Sequence, residues 1–209
     1  NAVSVSASGT NPTCYSGTNG SITVSSASGG SGSGFTYSKD GTNYQTTNGF
    51  TGLGAGTYTI YAKDANGCIG TTNYTILQPS VLTANASPTA ITCFGANNGL
   101  ITVLANGGTP TYTYSIDGTV FTPGNVIQNL ASGTYTVTVK DANGCEQSGS
   151  ETVTEPTAII AIASHNNVLC NGGSTGSISV TFDGGTSPYT FSFNGGEFAS
   201  LASPAAYSS

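Results

Sequence analysis

The sequence is poor in charged residues and lacks two residue types altogether. Of its 209 residues, three are Lys or Arg and nine are Asp or Glu, and there is no Met and no Trp. The net charge of −6 and the lack of a basic cluster exclude a nucleic-acid partner, because nothing would neutralise phosphates. No run approaches the roughly 20 apolar residues of a membrane-spanning helix. The first residues, 1–4, do not form a signal peptide, so we expect any targeting segment to lie outside this sequence.

Residues typical of catalysis and of metal binding are equally scarce. His165 is the single histidine, and the equivalent positions of the other repeats described below are Gly9 and Pro88, so we expect an exposed surface residue. No Ser/His/Asp set recurs along the chain. The cysteines form no Cys-x-x-Cys motif, which excludes the usual zinc sites. We therefore predict a protein that is not an enzyme and has neither a catalytic residue nor a cofactor.

One block of sequence occurs twice, as Gly-Thr-Tyr-Thr-Ile-Tyr-Ala-Lys-Asp-Ala-Asn-Gly-Cys at 56–68 and in a near-identical copy at 133–145. The rest of the chain repeats with the same spacing. Each repeat has a first cysteine, a Gly-Gly pair, alternating aromatics and an Asp-Gly or Asn-Gly turn, and the two complete repeats close on Pro79 and Pro156. The features of the three repeats are Cys14, Cys93 and Cys170; Gly29-Gly30, Gly107-Gly108 and Gly184-Gly185; Tyr37, Tyr114 and Phe191; Asp40, Asp117 and Asn194; and Tyr44, Phe121 and Phe198. This register predicts units at 1–79 and 80–156, and an incomplete third unit at 157–209 of a longer array.

Each unit is predicted to be all-β. The second copy of the block alternates aromatic or β-branched residues with threonines, as in a half-buried strand, and Asp-Ala-Asn-Gly then reverses the chain. About seven short strands are expected in each repeat; in the second repeat they lie near 81–87, 99–105, 111–116, 119–122, 126–130, 134–140 and 145–154. Units of about 77 residues with evenly spaced turns predict immunoglobulin-like β-sandwiches. Tyr58 and Tyr135 would be tyrosine corners, and the recurring aromatics are expected in the cores.

The five cysteines are predicted to form one disulfide in each complete repeat. The expected pairs are Cys14–Cys68 and Cys93–Cys145, and the partner of Cys170 would lie beyond the chain. Each bond would close a loop of about 50 residues and contribute roughly 4 kcal/mol to stability. Two alternatives are open: free thiols in a reducing compartment, or links between repeats, which would produce a covalently coupled fibre.

These motifs resemble the SprB repeat, which is found in very large surface adhesins of gliding Bacteroidota. The resemblance lies in the first cysteine followed by Gly-Ser-Ile, in Gly-Gly before Tyr-x-Tyr-Ser-x-Asp-Gly, and above all in the repeated block that ends in Asn-Gly-Cys. It implies a secreted, cell-surface protein, exported by the type IX system, that serves adhesion or gliding. The family implies no catalytic or binding residue. The expected partners are neighbouring repeats of the same protein and side-by-side copies.

Three other interpretations are weaker. Calcium would need six to eight oxygens, whereas each turn offers one carboxylate, from Asp40, Asp64, Asp117 or Asp141; turn capping is the favoured role of these residues and of Asn66 and Asn143. A glycan-binding module would use Tyr61 and Tyr74 on a surface polysaccharide, but these tyrosines do not recur. A filament subunit could complete the third repeat with a neighbour's strand. Glycosylation sequons occur at Asn19, Asn73 and Asn85.

Overall fold

The regular secondary structure of the described chain consists of antiparallel strands. The computed structural model describes residues 2–192, 194–197, 199–201 and 205–208. None of these residues lies in a helix long and apolar enough to cross a membrane. The predicted aromatic position Phe198 lies outside the described residues.

The first repeat contains six strands: β1 Ser4–Thr10, β2 Gly20–Ser28, β3 Thr36–Ser38, β4 Gly49–Leu53, β5 Gly56–Lys63 and β6 Ile69–Ile76. They form two three-stranded sheets with the orders β1-β2-β4 and β3-β5-β6. The β5–β6 pair runs in register from Gly56 opposite Ile76 to Lys63 opposite Ile69. The Asp-Ala-Asn-Gly turn closes this hairpin, as the sequence predicts.

The second repeat has the same plan. Its strands are β7 Thr83–Thr89, β8 Gly99–Asn106, β9 Thr113–Ser115, β10 Val126–Leu130, β11 Gly133–Lys140 and β12 Glu146–Val153. The sheet orders, β10-β8-β7 and β12-β11-β9, correspond to those of the first repeat. The fourth of the seven predicted strands, at 119–122, is reduced to an isolated bridge between Tyr114 and Thr122, and Tyr37 pairs with Gln45 in the equivalent bridge.

The third repeat is described by five strands: β13 Ile160–Asn166, β14 Ser177–Asp183, β15 Tyr189–Phe191, β16 Ala199–Leu201 and β17 Ala205–Ser208. Strand β14 lies between β13 and β17, as β2 lies between β1 and β4, and β15 pairs with β16. The all-β, immunoglobulin-like sandwich architecture is therefore confirmed.

The cores consist mainly of aliphatic side chains at equivalent positions of the two complete repeats, with Phe50 added in the first. In the first repeat, Ile22, Val24, Phe50, Leu53, Ile60 and Ile76 pack together. The buried residues of the second repeat include the counterparts Ile101, Val103, Leu130, Val137 and Val153. Each fully buried aliphatic side chain contributes roughly 1.5–3 kcal/mol to folding. The alternation predicted for the repeated block thus identifies Val137 and Val139 as inward positions, although Thr138 between them is also buried.

The recurring tyrosines of the first repeat lie at the edge of its core, whereas Tyr114, the counterpart of Tyr37, is buried. Tyr37 and Tyr58 are partly buried and pack against the first core. The Tyr58 hydroxyl donates to the Gly54 carbonyl at 3.1 Å, and the Tyr135 hydroxyl donates to the Ala131 carbonyl at 3.0 Å. Both repeats therefore have the predicted tyrosine corner.

The chain divides into two compact units by its internal contacts. One unit consists of Asn1–Asn85, Leu104–Pro123 and Thr138–Ser148, and the other of Ala86–Val103, Gly124–Val137 and Gly149–Ser209. The first unit thus combines the first repeat with part of the second. The repeat boundaries at 79 and 156, read from the sequence, stay a prediction about independent folding.

Candidate functional site

The first cysteine of the first repeat lies at the end where the chain leaves that repeat. Strand β1 leads to Asn11, whose Oδ1 accepts a hydrogen bond from the Leu77 amide at 3.0 Å. The Ser16 amide donates to Oε1 of Gln78 at 2.8 Å. Cys14 therefore lies beside the last residues of its own repeat, which we call the trailing end.

The second cysteine lies at the opposite, leading end. The Asp64 carboxylate accepts hydrogen bonds from the amides of Ser31 and Cys68, each at 2.7 Å. Close to this turn, the backbone of Gly70 packs against the carbonyl of Val3, where the chain enters the repeat. Strand β6 then has to cover the distance from Cys68 to the trailing end. Its eight residues span about 25 Å.

The disulfide differs from the predicted pairs. Cys14 bonds to Cys145 of the second repeat, with a Cα–Cα distance of 5.7 Å. Cys68, Cys93 and Cys170 are exposed thiols. The predictions Cys14–Cys68 and Cys93–Cys145 are corrected for one physical reason. Bonded cysteines need Cα atoms within about 7 Å, and the first and second cysteines of the first repeat lie at opposite ends of a strand.

Hydrogen bonds hold the Asp-Ala-Asn-Gly-Cys turn of the second repeat around this disulfide. Asn143 donates through Nδ2 to the Thr13 carbonyl at 3.1 Å and to Oγ1 of Thr109 at 2.9 Å. The Asp141 carboxylate accepts from the amides of Thr109 and Cys145, both at 2.9 Å. We call Thr13, Cys14, Thr109, Asp141, Asn143 and Cys145 the junction site. It joins two successive repeats by one covalent bond and by the Asn143 contact with Thr13.

The linker beside the junction site is fixed by the Gly-Gly pair. The Gly108 amide donates to the Ser80 carbonyl at 2.9 Å. Gly107 has φ +77°, and a Cβ atom there would collide with the Val81 carbonyl. The recurring Gly-Gly motif therefore serves close backbone approach at the linker. A groove of about 260 Å³ lies here, bordered by the disulfide, by Ser80–Leu82 and by Glu146 and Gln147.

The turn aspartates act as caps. The Asp40 side chain accepts hydrogen bonds from the amides of Thr42 and Asn43 and from the Asn43 side chain. The side-chain bond from Asn43, followed by the two amide bonds, holds the pKa of Asp40 well below its ordinary value of 3.8. The amides of Val120 and Thr119 are the main causes of a similarly lowered pKa at Asp117. The Ser31 amide is the largest cause of the lowered pKa of Asp64.

The same geometry bears on the calcium alternative. The carboxylate oxygens of the turns already accept hydrogen bonds from protein donors: Asp40 and Asp117 from their own turns, and Asp64 and Asp141 from their own turns and from the loop after the Gly-Gly pair. Within the described part of the chain, no cluster of three or more His, Cys, Asp or Glu residues is arranged to hold a metal ion.

The remaining predicted positions do not come together. His165 is exposed on β13, opposite Ile178. Tyr74 donates its hydroxyl to the Gly9 carbonyl at 3.2 Å and packs against the core, and Tyr61 is partly buried on β5. The sequon residues Asn19, Asn73 and Asn85 are exposed.

Sequence reasoning missed the junction site, although strand order contains the signal. The first cysteine follows one strand after the chain enters a repeat, and the second cysteine precedes the last strand before the chain leaves it. Because each strand runs the length of the sandwich, the first cysteine lies at the trailing end and the second cysteine lies at the leading end. Tandem repeats joined by a short linker bring these two ends together.

Fold and junction together define a tandem β-sandwich repeat region. The SprB repeat family model matches residues 5–41, 85–121 and 162–198, which together make up just over half of the chain. The chain belongs to the SprB repeat family, and it is a structural repeat region of a cell-surface protein. The first two matches each cover the first half of a repeat and end before the Gly-Thr-Tyr to Asn-Gly-Cys block.

Comparison with solved structures gives weaker likenesses. An amphioxus IgVJ-C2 molecule is 21% identical over 57% of this chain and 87% of that chain, with a TM-score of 0.28. A structure concerned with Dscam isoform specificity is 15% identical over 73% of this chain and 46% of that chain, with a TM-score of 0.30. A titin I-band fragment is 15% identical over 96% of this chain and 81% of that chain, with a TM-score of 0.37. At these TM-scores the likenesses carry no argument about function. Among curated proteins, none matches the sequence.

Proposed function

We propose that this region is part of the shaft of a secreted cell-surface adhesin or filament, exported by the type IX system, that serves surface adhesion or gliding motility. In this role the region transmits force along the shaft and sets the distance between its two ends, and it does not catalyse a reaction. The observation that carries the proposal is the junction site, in which successive repeats are joined by the Cys14–Cys145 bond.

The disulfide has a mechanical consequence that suits a shaft. Force applied to the two ends of the chain passes from Cys14 directly to Cys145, because the covalent bond is the shorter path. The chain segment between the two cysteines, which are 131 residues apart in sequence, is therefore not extended when the ends are pulled. An unfolded chain spans about 3.3–3.6 Å per residue, so the shielded length is about 450 Å.

The surface chemistry is also consistent with a shaft. Threonine hydroxyls pair across the exposed faces of the strands, Thr57 with Thr75 and Thr134 with Thr152, each at 3.0 Å. These pairs satisfy polar groups without adding charge. A repeat array built in this way stays soluble while offering few charged groups to a ligand.

Single-molecule force spectroscopy on the full chain tests the proposal. Under oxidising conditions we expect the total extension on unfolding to be about 450 Å shorter than after reduction. Cys68→Ser is the matched control and should leave the oxidised extension unchanged. Small-angle scattering should give a rod-like particle. Equal extensions before and after reduction, or a compact globular scattering profile, would overturn the shaft proposal.

A further inference from the structure

The trailing end of the second repeat has the same construction as that of the first. The Ile91 amide donates to the Thr154 carbonyl at 2.8 Å, and the Gly95 amide donates to Oε2 of Glu155 at 2.8 Å. This second bond corresponds to the one from Ser16 to Gln78. Cys93 therefore lies beside the last residues of its own repeat, as Cys14 does.

The linker that follows the second repeat is also built in the same way. The Gly185 amide donates to the Thr157 carbonyl at 2.8 Å, matching the bond from Gly108 to Ser80 at 2.9 Å. A Cβ atom on Gly184 would collide with the Ala158 carbonyl, as one on Gly107 would with the Val81 carbonyl. A groove of about 380 Å³ lies here, bordered by Cys93, Phe94, Pro156, Ile159, Gly185 and Thr186.

Thr186 occupies the position of Thr109 in the junction site, directly after the Gly-Gly pair. Thr109 contacts the second-cysteine turn of its own repeat through three groups: its amide bonds to Asp141, its carbonyl to the Ala142 amide, and its hydroxyl to Asn143. These contacts place Cys145 against the preceding repeat. Thr186 has the same three groups and borders the same groove as exposed Cys93.

We infer that the disulfides of this repeat array run from each repeat to the next. The first cysteine of every repeat bonds to the second cysteine of the repeat that follows it. Cys93 is thus assigned a disulfide with the second cysteine of the third repeat. That cysteine would end a turn of the Asp-Ala-Asn-Gly-Cys type, and the turn would contact Thr186. Cys170 is assigned to a fourth repeat, and Cys68 to the first cysteine of a repeat before the first. The inference concerns covalent connectivity and stands or falls independently of an adhesive role.

Each link forms by thiol–disulfide exchange. Two thiols lose two protons and two electrons, and a disulfide-bearing oxidant accepts them and becomes a dithiol. In an extracellular compartment a disulfide oxidoreductase has this chemistry, and oxidised glutathione supplies it in vitro. The product is a shaft in which every junction is covalently closed, although no repeat contains a disulfide of its own.

The test inserts a second copy of residues 80–156 after Pro156 of the full chain, and refolds the protein in a glutathione redox buffer. Exposed Asn97→Ser and Ser150→Thr in the inserted copy mark its two cysteine peptides by mass. We expect Cys14–Cys145 to persist, and a second disulfide to join the original Cys93 to the inserted Cys145. Alkylation should label Cys68, Cys170 and the inserted Cys93.

Cys145→Ser in the inserted copy alone is the matched variant. It should restore full alkylation of the original Cys93 and leave Cys14–Cys145 intact. A disulfide between Cys93 and Cys145 of the same copy would overturn the inference. The inference would also fail if the original Cys93 remained alkylated in the chain that retains both Cys145 residues.

Discussion

The second-cysteine turns of the two complete repeats have the same sequence and the same hydrogen bonds within the turn, but different covalent states. The amides of Asp64 and Asp141 each donate to the carbonyl of the following cysteine at 3.0 Å. Cys145 nevertheless forms a disulfide, and Cys68 is an exposed thiol. The conformation of the turn is therefore local, whereas its bonding depends on the repeat that precedes it in the chain. Each repeat therefore determines its own strands and turns, whereas the disulfide that stabilises the chain lies at the junction between two repeats.

The largest predicted effect separates these two cysteines. Cys145→Ser should destabilise the chain by about 5 kcal/mol, because it opens a loop closed by the disulfide across a sequence separation of 131 residues. Cys68→Ser should change stability little, since Cys68 is an exposed thiol. Chemical denaturation of both variants under oxidising conditions measures the difference.

Cys14→Ser is the control for this comparison. It should match Cys145→Ser, because either substitution removes the same bond. If Cys68→Ser were as damaging as Cys145→Ser, each repeat would contain its own disulfide, and the distinction between the two turns would disappear.

These two turns also show how far sequence reasoning goes. Strand alternation and turn residues predict β5, β6, β11 and β12, because both signals depend on neighbouring residues. The Cys14–Cys145 pairing could not be derived from spacing alone, because it depends on which ends of two sandwiches meet. The bridge at Thr122 was predicted as a full strand, since a short apolar run does not specify how many residues pair.

The second prediction compares two glycines of the second repeat. Gly107 and Gly144 both have positive φ, +77° and +82°, but only a Cβ on Gly107 would meet backbone, the Val81 carbonyl. Gly144→Ala should cost roughly 1 kcal/mol, for the backbone conformation alone. Gly107→Ala should cost roughly 3 kcal/mol, because the linker also has to move. Thermal unfolding of the two variants measures the gap. Equal costs would show that the linker at the junction site is not closely packed.

The third prediction concerns acid stability and compares the caps at Asp40 and Asp117. The folded pKa of each is lowered, so its contribution to stability is complete above the unfolded value of 3.8. It is lost as the pH falls through the folded pKa. We expect stability to be constant down to about pH 5 and to decline below that. Asp40→Asn and Asp117→Asn should each flatten the acid limb of the stability curve.

The two caps differ in one donor, which sharpens this test. Asn43 donates from Nδ2 to Asp40 at 2.7 Å, whereas the equivalent residue in the second repeat is Val120. Asn43→Val should therefore raise the pKa of Asp40 towards its ordinary value while leaving the carboxylate in place. Titration of the carboxyl carbon by NMR reads this directly. An unchanged pKa in Asn43→Val would contradict the assignment of Asn43 as the main cause.

The smallest predicted effect compares Tyr44 with Phe121. Both rings lie under a lysine, with Lys63 Nζ 3.8 Å from the Tyr44 centroid and Lys140 Nζ 3.9 Å from the Phe121 centroid. The Tyr44 hydroxyl is buried and has no hydrogen-bond partner in the described structure. A buried unpaired hydroxyl is destabilising, so Tyr44→Phe should gain about 1 kcal/mol. Phe121→Tyr, measured in parallel by chemical denaturation, should lose a similar amount if the sites are equivalent. A loss of stability in Tyr44→Phe would mean that the hydroxyl has a partner and that the two lysine–aromatic contacts differ.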